Sequence, residues 1–135
     1  LGAELLLETL PAYLQGILQP QPQPEEGATY APMLKKDDGA LDFTQPAEAL
    51  ARKVRAFYPW PGTYTIWRGE LLKIHRAHAV QVDHQEAPPG ATRVVDRLPA
   101  FATSQGVLVL DEVQPAGKKP MPGEVFLRGV RDWIT

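Results

Sequence analysis

Cysteine is absent from this chain, and its absence removes disulfides, thiolate catalysis and Cys-based zinc sites together. That composition fits a reducing, cytosolic setting. No apolar run approaches the roughly 20 residues that span a bilayer. The opening residues, LGAELLLETL, lack an initiating Met and a basic leader, and Glu4 and Glu8 interrupt them. They are no signal peptide and read as the middle of a longer protein. Positive charge is also missing at first: residues 1–34 hold Glu4, Glu8, Glu25 and Glu26 and no Lys or Arg, a local charge of −4. All 14 basic residues follow, against the remaining 12 of 16 acidic ones, giving residues 35–135 a charge of +2 inside a chain of net −2. A mildly basic body permits nucleic acid as a partner without requiring it, since dedicated binders are usually far more basic.

What is present is enough apolar residue, 44% of 135, to build the core of one domain, with or without an arm. Leu5, Leu6, Thr9, Leu10, Tyr13, Leu14 and Ile17 recur at three-to-four-residue spacing and predict a helix over 1–18 with one apolar face, kinked at Pro11. That stripe needs another surface to cover it. Pro20, Pro22, Pro24 and Pro32 make residues 19–33 a stiff, extended linker. The body occupies 34–135. Its best helix lies in DFTQPAEALARKVRAFYPWP, with Thr44 as expected N-cap, Pro46 in the first turn, and Pro59 and Pro61 as stops. Ala47, Leu50, Ala51, Val54 and Phe57 share one face, and Glu48, Arg52 and Arg55 the other.

Beyond Gly62 the period changes to two. Strands are predicted at 63–67 and 70–82 around an Arg68-Gly69 turn, at 88–95, and on either side of Ser104-Gln105-Gly106 within 99–113. Residues 123–133 read as a closing amphipathic helix on Val125, Phe126, Val130 and Trp133. The fold class is therefore mainly β: a small five-stranded barrel of the oligonucleotide-binding type, with one helix before it and one after. An SH3-like barrel is the structural competitor.

Catalytic chemistry is hard to find. His75 and His78 fall on opposite faces of a strand, while His78 and His84 share a face about 20 Å apart, so no metal site is expected. His78, in phase with Leu72, Ile74, Val80 and Val82, reads as a barrel-interior residue. Glycine-rich phosphate loops and a Gly-x-Ser-x-Gly elbow are missing. The pairs Asp37-Asp38 and Asp111-Glu112 read as exposed charge rather than acid–base couples. What remains is cationic: Lys35, Lys36, Arg52, Arg55, Lys118, Lys119, Arg128 and Arg131. Each has a bland reading as a solvated face. Lys118 and Lys119 stand out, because no acidic residue lies between Glu112 and Glu124 to neutralise them.

The segments RAFYPWPGTYT (55–65), QPAGKKPM (114–121) and LKKDDGALDFTQPAEAL (34–50), with the lead-in GAELLLETLPAYLQG and ATYAPML, resemble the C-terminal part of methionyl-tRNA formyltransferases across essentially the whole chain. The resemblance implies a barrel that presents basic residues to tRNA. By motif, Lys118 and Lys119 match the family's paired lysines, Arg55 its arginine before Ala-Phe, and Lys35 the basic residue after Tyr-Ala-Pro-x-Leu. Lys36, Arg52, Arg128 and Arg131 lie on matching segments. It further implies that residues 1–18 close a separate N-terminal catalytic domain, absent here. That domain would use 10-formyltetrahydrofolate as donor and a catalytic asparagine, histidine and aspartate. The acceptor would be initiator methionyl-tRNA, in the cytoplasm, and the parent enzyme monomeric. This chain would then have no catalytic residue, bind no cofactor or metal itself, and be inactive alone. Two alternatives stand beside this reading. One is the barrel of a related small-molecule formyltransferase or formyl-folate hydrolase. The other is a protein-interaction module.

Overall fold

The computed structural model describes residues 1–82, 87–130 and 132–134. His84 and Arg131, both singled out above, lie outside the described residues. The chain divides into two units, Leu1–Pro32 and Met33–Thr135.

In the first unit a single helix, α1 (Gly2–Leu14), stops four residues before the expected end. None of its residues is buried. Leu5, Leu6, Leu10, Tyr13, Leu14 and Ile17 are between 40% and 74% exposed. No regular element follows before Lys36.

The second unit holds the sheet. After a short 3-10 turn (Lys36–Gly39) comes helix α2 (Ala47–Ala56), then strands β1 (Thr63–Trp67), β2 (Glu70–Val80), β3 (Thr92–Val95), β4 (Leu98–Ala102), β5 (Val107–Pro115) and β6 (Met121–Pro122), and helix α3 (Gly123–Gly129). The strands form one antiparallel sheet in the order β1-β2-β5-β4-β3, with β6 paired to β5. Mainly β architecture with a helix on each side agrees with the sequence. Two details differ from it. Among the described residues the barrel-like sheet is not closed, β1 and β3 being its ends, and Met121-Pro122 forms a sixth strand beyond the five expected.

Local chemistry explains most of these elements. The β1–β2 hairpin turns on Arg68 (φ 52°) and Gly69 (φ 80°), two left-handed residues in the two-residue loop that matches strand twist. Strand β5 begins with VLVL because it is buried on both faces. Leu108 and Leu110 enter the main core with Leu50, Val54, Leu72, Ile74 and Phe101, while Val107 and Val109 pack with Ala100 on the other side. Helix α2 buries Ala47, Leu50, Ala51 and Val54, as its spacing predicts.

Three expectations need correction. Thr44 does not cap α2; Pro46 holds that position and its carbonyl accepts from Ala49 and Leu50. Thr44 instead donates its amide and hydroxyl to Asp42 Oδ1 at 3.0 and 2.7 Å, and these bonds hold the Asp42 carboxyl below its ordinary range. The closing helix ends at Gly129, not 133, and Val125 is exposed. Trp133 still reaches the core, with ring centroids 5.2–5.5 Å from Phe101, Trp67 and Phe126 and its indole N–H donating to Arg93 O at 2.6 Å.

The third concerns His78. Ladder pairing runs Ile74↔Val113, Arg76↔Glu112, Ala77↔Leu110, so His75 is an extra residue on β2 and Asp111 an extra one on β5. This irregularity reverses which side chains point inward. Leu72 and Ile74 are buried before it and Ala77 after it. His78 therefore faces out, its side chain 50% exposed, with Nδ1 3.0 Å from Asp111 Oδ1.

Candidate nucleic-acid interface

Lys118 and Lys119 occupy the connection from β5 to β6 and are exposed. Lys118 N–H donates to Pro115 O at 3.1 Å, closing a turn in which Gly117 takes φ 69°. Only glycine adopts that value without steric cost, which is why Gly117 sits before the lysines. Gln114 fixes the turn from beneath. Its Nε2 donates to Lys118 O at 2.8 Å, and its Oε1 lies 3.0 Å from His75 Nε2. An amide oxygen only accepts, so His75 carries its proton on Nε2 in this arrangement.

His75 in turn lines a cleft of about 480 Å³, together with Arg55, Tyr58, Arg76, Glu112 and Pro120. Arg55 arrives from the last turn of α2, Tyr58 from just beyond it, and Arg76 from the irregular stretch of β2. Pro120, the residue after Lys119, lines the cleft, whereas Lys118 and Lys119 themselves are not among its lining residues. The structure thus sets Arg55 and Arg76 on the walls of one opening, which the chain leaving the 118–119 turn reaches at Pro120.

The other candidates separate from this group. Among the residues lining the cleft, Lys35, Lys36, Arg52 and Arg128 do not figure. Lys35 and Lys36 are exposed at the 3-10 turn, where Lys35 N–H donates to Asp38 Oδ2 at 2.7 Å. Arg52 is exposed on α2. Arg128 is already matched with Glu124 on its own helix at 3.5 Å. Lys118, Lys119, Arg55 and Arg76 make no ion pair among the described residues. A nucleic-acid backbone would therefore meet four cations not held in ion pairs, with Glu112 as the one acidic group on the cleft wall, and release of its condensed counterions would favour their contact.

Tyr58, His75, Arg76 and Gln114 were not singled out from the sequence as interface residues. Tyr58 had a usable signal, standing three residues after Arg55 at the end of a helix. Arg76 had none, because only the strand irregularity turns it toward the cleft.

Such a molecule falls into a definable class: a small antiparallel β domain with flanking helices, whose outer surface carries a cation-bordered cleft. Residues 33–131 match the formyl transferase C-terminal domain family, and the chain belongs to it. It is 47% identical over 131 residues to the methionyl-tRNA formyltransferase of Roseiflexus castenholzii, covering 97% of this chain and 42% of that protein. Against the methionyl-tRNA formyltransferase of Myxococcus xanthus the identity is 48%, covering 96% and 41% respectively. The chain spans about two fifths of the length of these curated relatives. HypX from Aquifex aeolicus, solved in complex with tetrahydrofolic acid, shares the fold with a TM-score of 0.58 at 20% identity, over 97% of this chain and 23% of that one.

Proposed function

We propose that this chain is the tRNA-holding part of a methionyl-tRNA formyltransferase. In this reading the Lys118–Lys119 turn, with Arg55 and Arg76, grips the phosphate backbone of initiator methionyl-tRNA. Lys35, Lys36, Arg52 and Arg128 extend the cationic surface, and Arg131 is a further candidate phosphate contact by its place in the sequence. The formyl group passes from 10-formyltetrahydrofolate to the methionine amino group in an N-terminal domain outside this chain, in the cytoplasm, for translation initiation. The parent enzyme is a monomer. Phosphate contacts position the nucleic acid without reading its sequence, so initiator identity is tested mainly by that other domain.

One observation carries the proposal. Two adjacent lysines are exposed, lack an ion pair among the described residues, and sit on a turn held by Gln114 beside a cleft with two further cations. A small substrate bound in another domain gives no reason for that arrangement. The family resemblance implies an asparagine, a histidine and an aspartate for formyl transfer. This chain has no asparagine, and its His78–Asp111 pair lies half in solvent on the outer sheet face. Its residues do not fit the donor's site, and no chemical step is assigned to them.

A salt titration of labelled initiator tRNA binding tests the reading. Three to five phosphate contacts predict a log K against log salt slope of roughly −3 to −4.5, with Kd of order 10⁻⁴ to 10⁻⁶ M near physiological salt. Lys118→Ala/Lys119→Ala should weaken binding and flatten the slope by about 2. Unchanged affinity and slope would remove these lysines from the interface, and the proposal with them.

A further inference from the structure

The cleft beside the lysine turn has more in it than phosphate binding requires. A phosphate needs cations, and Arg55 and Arg76 supply them. Glu112, on the same wall, would repel a phosphate brought against it. Tyr58 offers a ring that is 65% exposed, and a large aromatic surface left in water is unfavourable unless something covers it. The volume of about 480 Å³ lies within the range of sites for ligands of drug-like size, and a mononucleotide is of that size. A double-helical backbone would pass over such a cleft without filling it.

We infer that this cleft takes one unpaired nucleotide of the bound RNA strand, its base stacked on Tyr58 and its flanking phosphates held by Arg55, Arg76 and the Lys118–Lys119 turn. Each lining group then has a role. The phenol ring is a stacking platform, the form in which single-stranded bases are usually held. Glu112 is an acceptor for base N–H groups, which helical backbone recognition would not use. Imidazole Nε2 of His75 is tied to Gln114, leaving Nδ1 to bond a second base or ribose group. The bulged stretch of β2 brings Arg76 to the cleft beside His75 rather than alternating them strictly across the sheet. The inference rests on the reading that this face meets RNA, and it names what part of the RNA the cleft receives.

The test uses the whole 135-residue chain with three probes: five-nucleotide single-stranded RNAs, a twelve-base-pair RNA duplex, and free nucleoside monophosphates. Tyr58→Ala should weaken binding of the single strands about tenfold, the size of one lost base stack. Tyr58→Phe should keep it within about twofold, because the ring remains. Duplex affinity should be untouched by either change. Tyr58 is exposed, and circular dichroism is the check that each variant folds. Unaltered single-strand binding in Tyr58→Ala would overturn the inference, as would a monophosphate that binds as tightly as the oligonucleotides. If Lys118→Ala/Lys119→Ala still lowers tRNA affinity in those cases, the tRNA-holding role survives and the nucleotide cleft alone fails.

Discussion

Gln114 joins two elements through the two ends of one amide, donating to Lys118 O and facing His75 Nε2. In the proposed role such a residue would act on binding without carrying charge. Gln114→Leu, close in size and unable to bond either partner, should lower initiator tRNA affinity a few-fold, since net hydrogen bonds contribute about 0.5–1.5 kcal/mol. The salt slope should stay where it is, because no cation has been removed. A slope flattened by about 2, as in the double lysine variant, would mean that the turn had left the phosphates altogether. The contrast shows what a sequence discloses at this scale. Lys118 and Lys119 stand out in the sequence because their charge is uncompensated along the chain. Gln114 was not, because its value depends on pairing with Lys73 across the β2–β5 ladder, which carries it next to His75. Asp42 is similar: its carboxylate binds locally to Thr44, and that competition moved the helix start to Pro46.

At the scale of elements, the strands with clean alternation and strong turns were readable, and those with an interruption were not. The Arg68-Gly69 and Ser104-Gln105-Gly106 turns fell where their residues required. Strand β2 failed midway, since one extra residue reverses its faces while leaving the apolar composition unchanged. That single shift moved His78 outward and Arg76 to the cleft. The C-terminal segment failed differently. Phe126 and Trp133, seven apart, fit one helix face, yet the helix stops at Gly129 and Val130 is extended at φ −112°, ψ 108°. Trp133 nevertheless reaches the same cluster and is only 2% exposed. Trp133, beyond the helix end, is therefore a structural part of the fold. Trp133→Ala should cost about 3–5 kcal/mol in urea unfolding, the range for emptying a buried aromatic site. Trp133→Phe keeps most of the ring volume and loses the bond to Arg93 O, and should cost about 1–2 kcal/mol. An alanine variant within 1 kcal/mol of the parent would contradict the packing around this ring.

For the whole molecule the decisive contrast is between residues 1–32 and the rest. Every buried residue of the two apolar clusters lies at or beyond Leu41, and α1 buries none. The fold of the second unit should not depend on the first, so a chain of residues 33–135 should melt within about 2 °C of the full one; a change of 1 kcal/mol would move it by about 4–8 °C. Charge gives the same cut a second consequence. The first 32 residues carry four glutamates and no base, and their removal takes the net charge from −2 to +2. Long-range repulsion of a polyanion is thereby lifted, although the cations of the interface are unchanged. The shortened chain should bind initiator tRNA about two- to threefold more tightly near 20 mM salt, where screening is weak. The two curves should meet by about 0.3 M, where the Debye length has fallen well below 10 Å. Weaker binding at every salt concentration would instead place tRNA contacts within residues 1–32, despite their lack of any basic side chain.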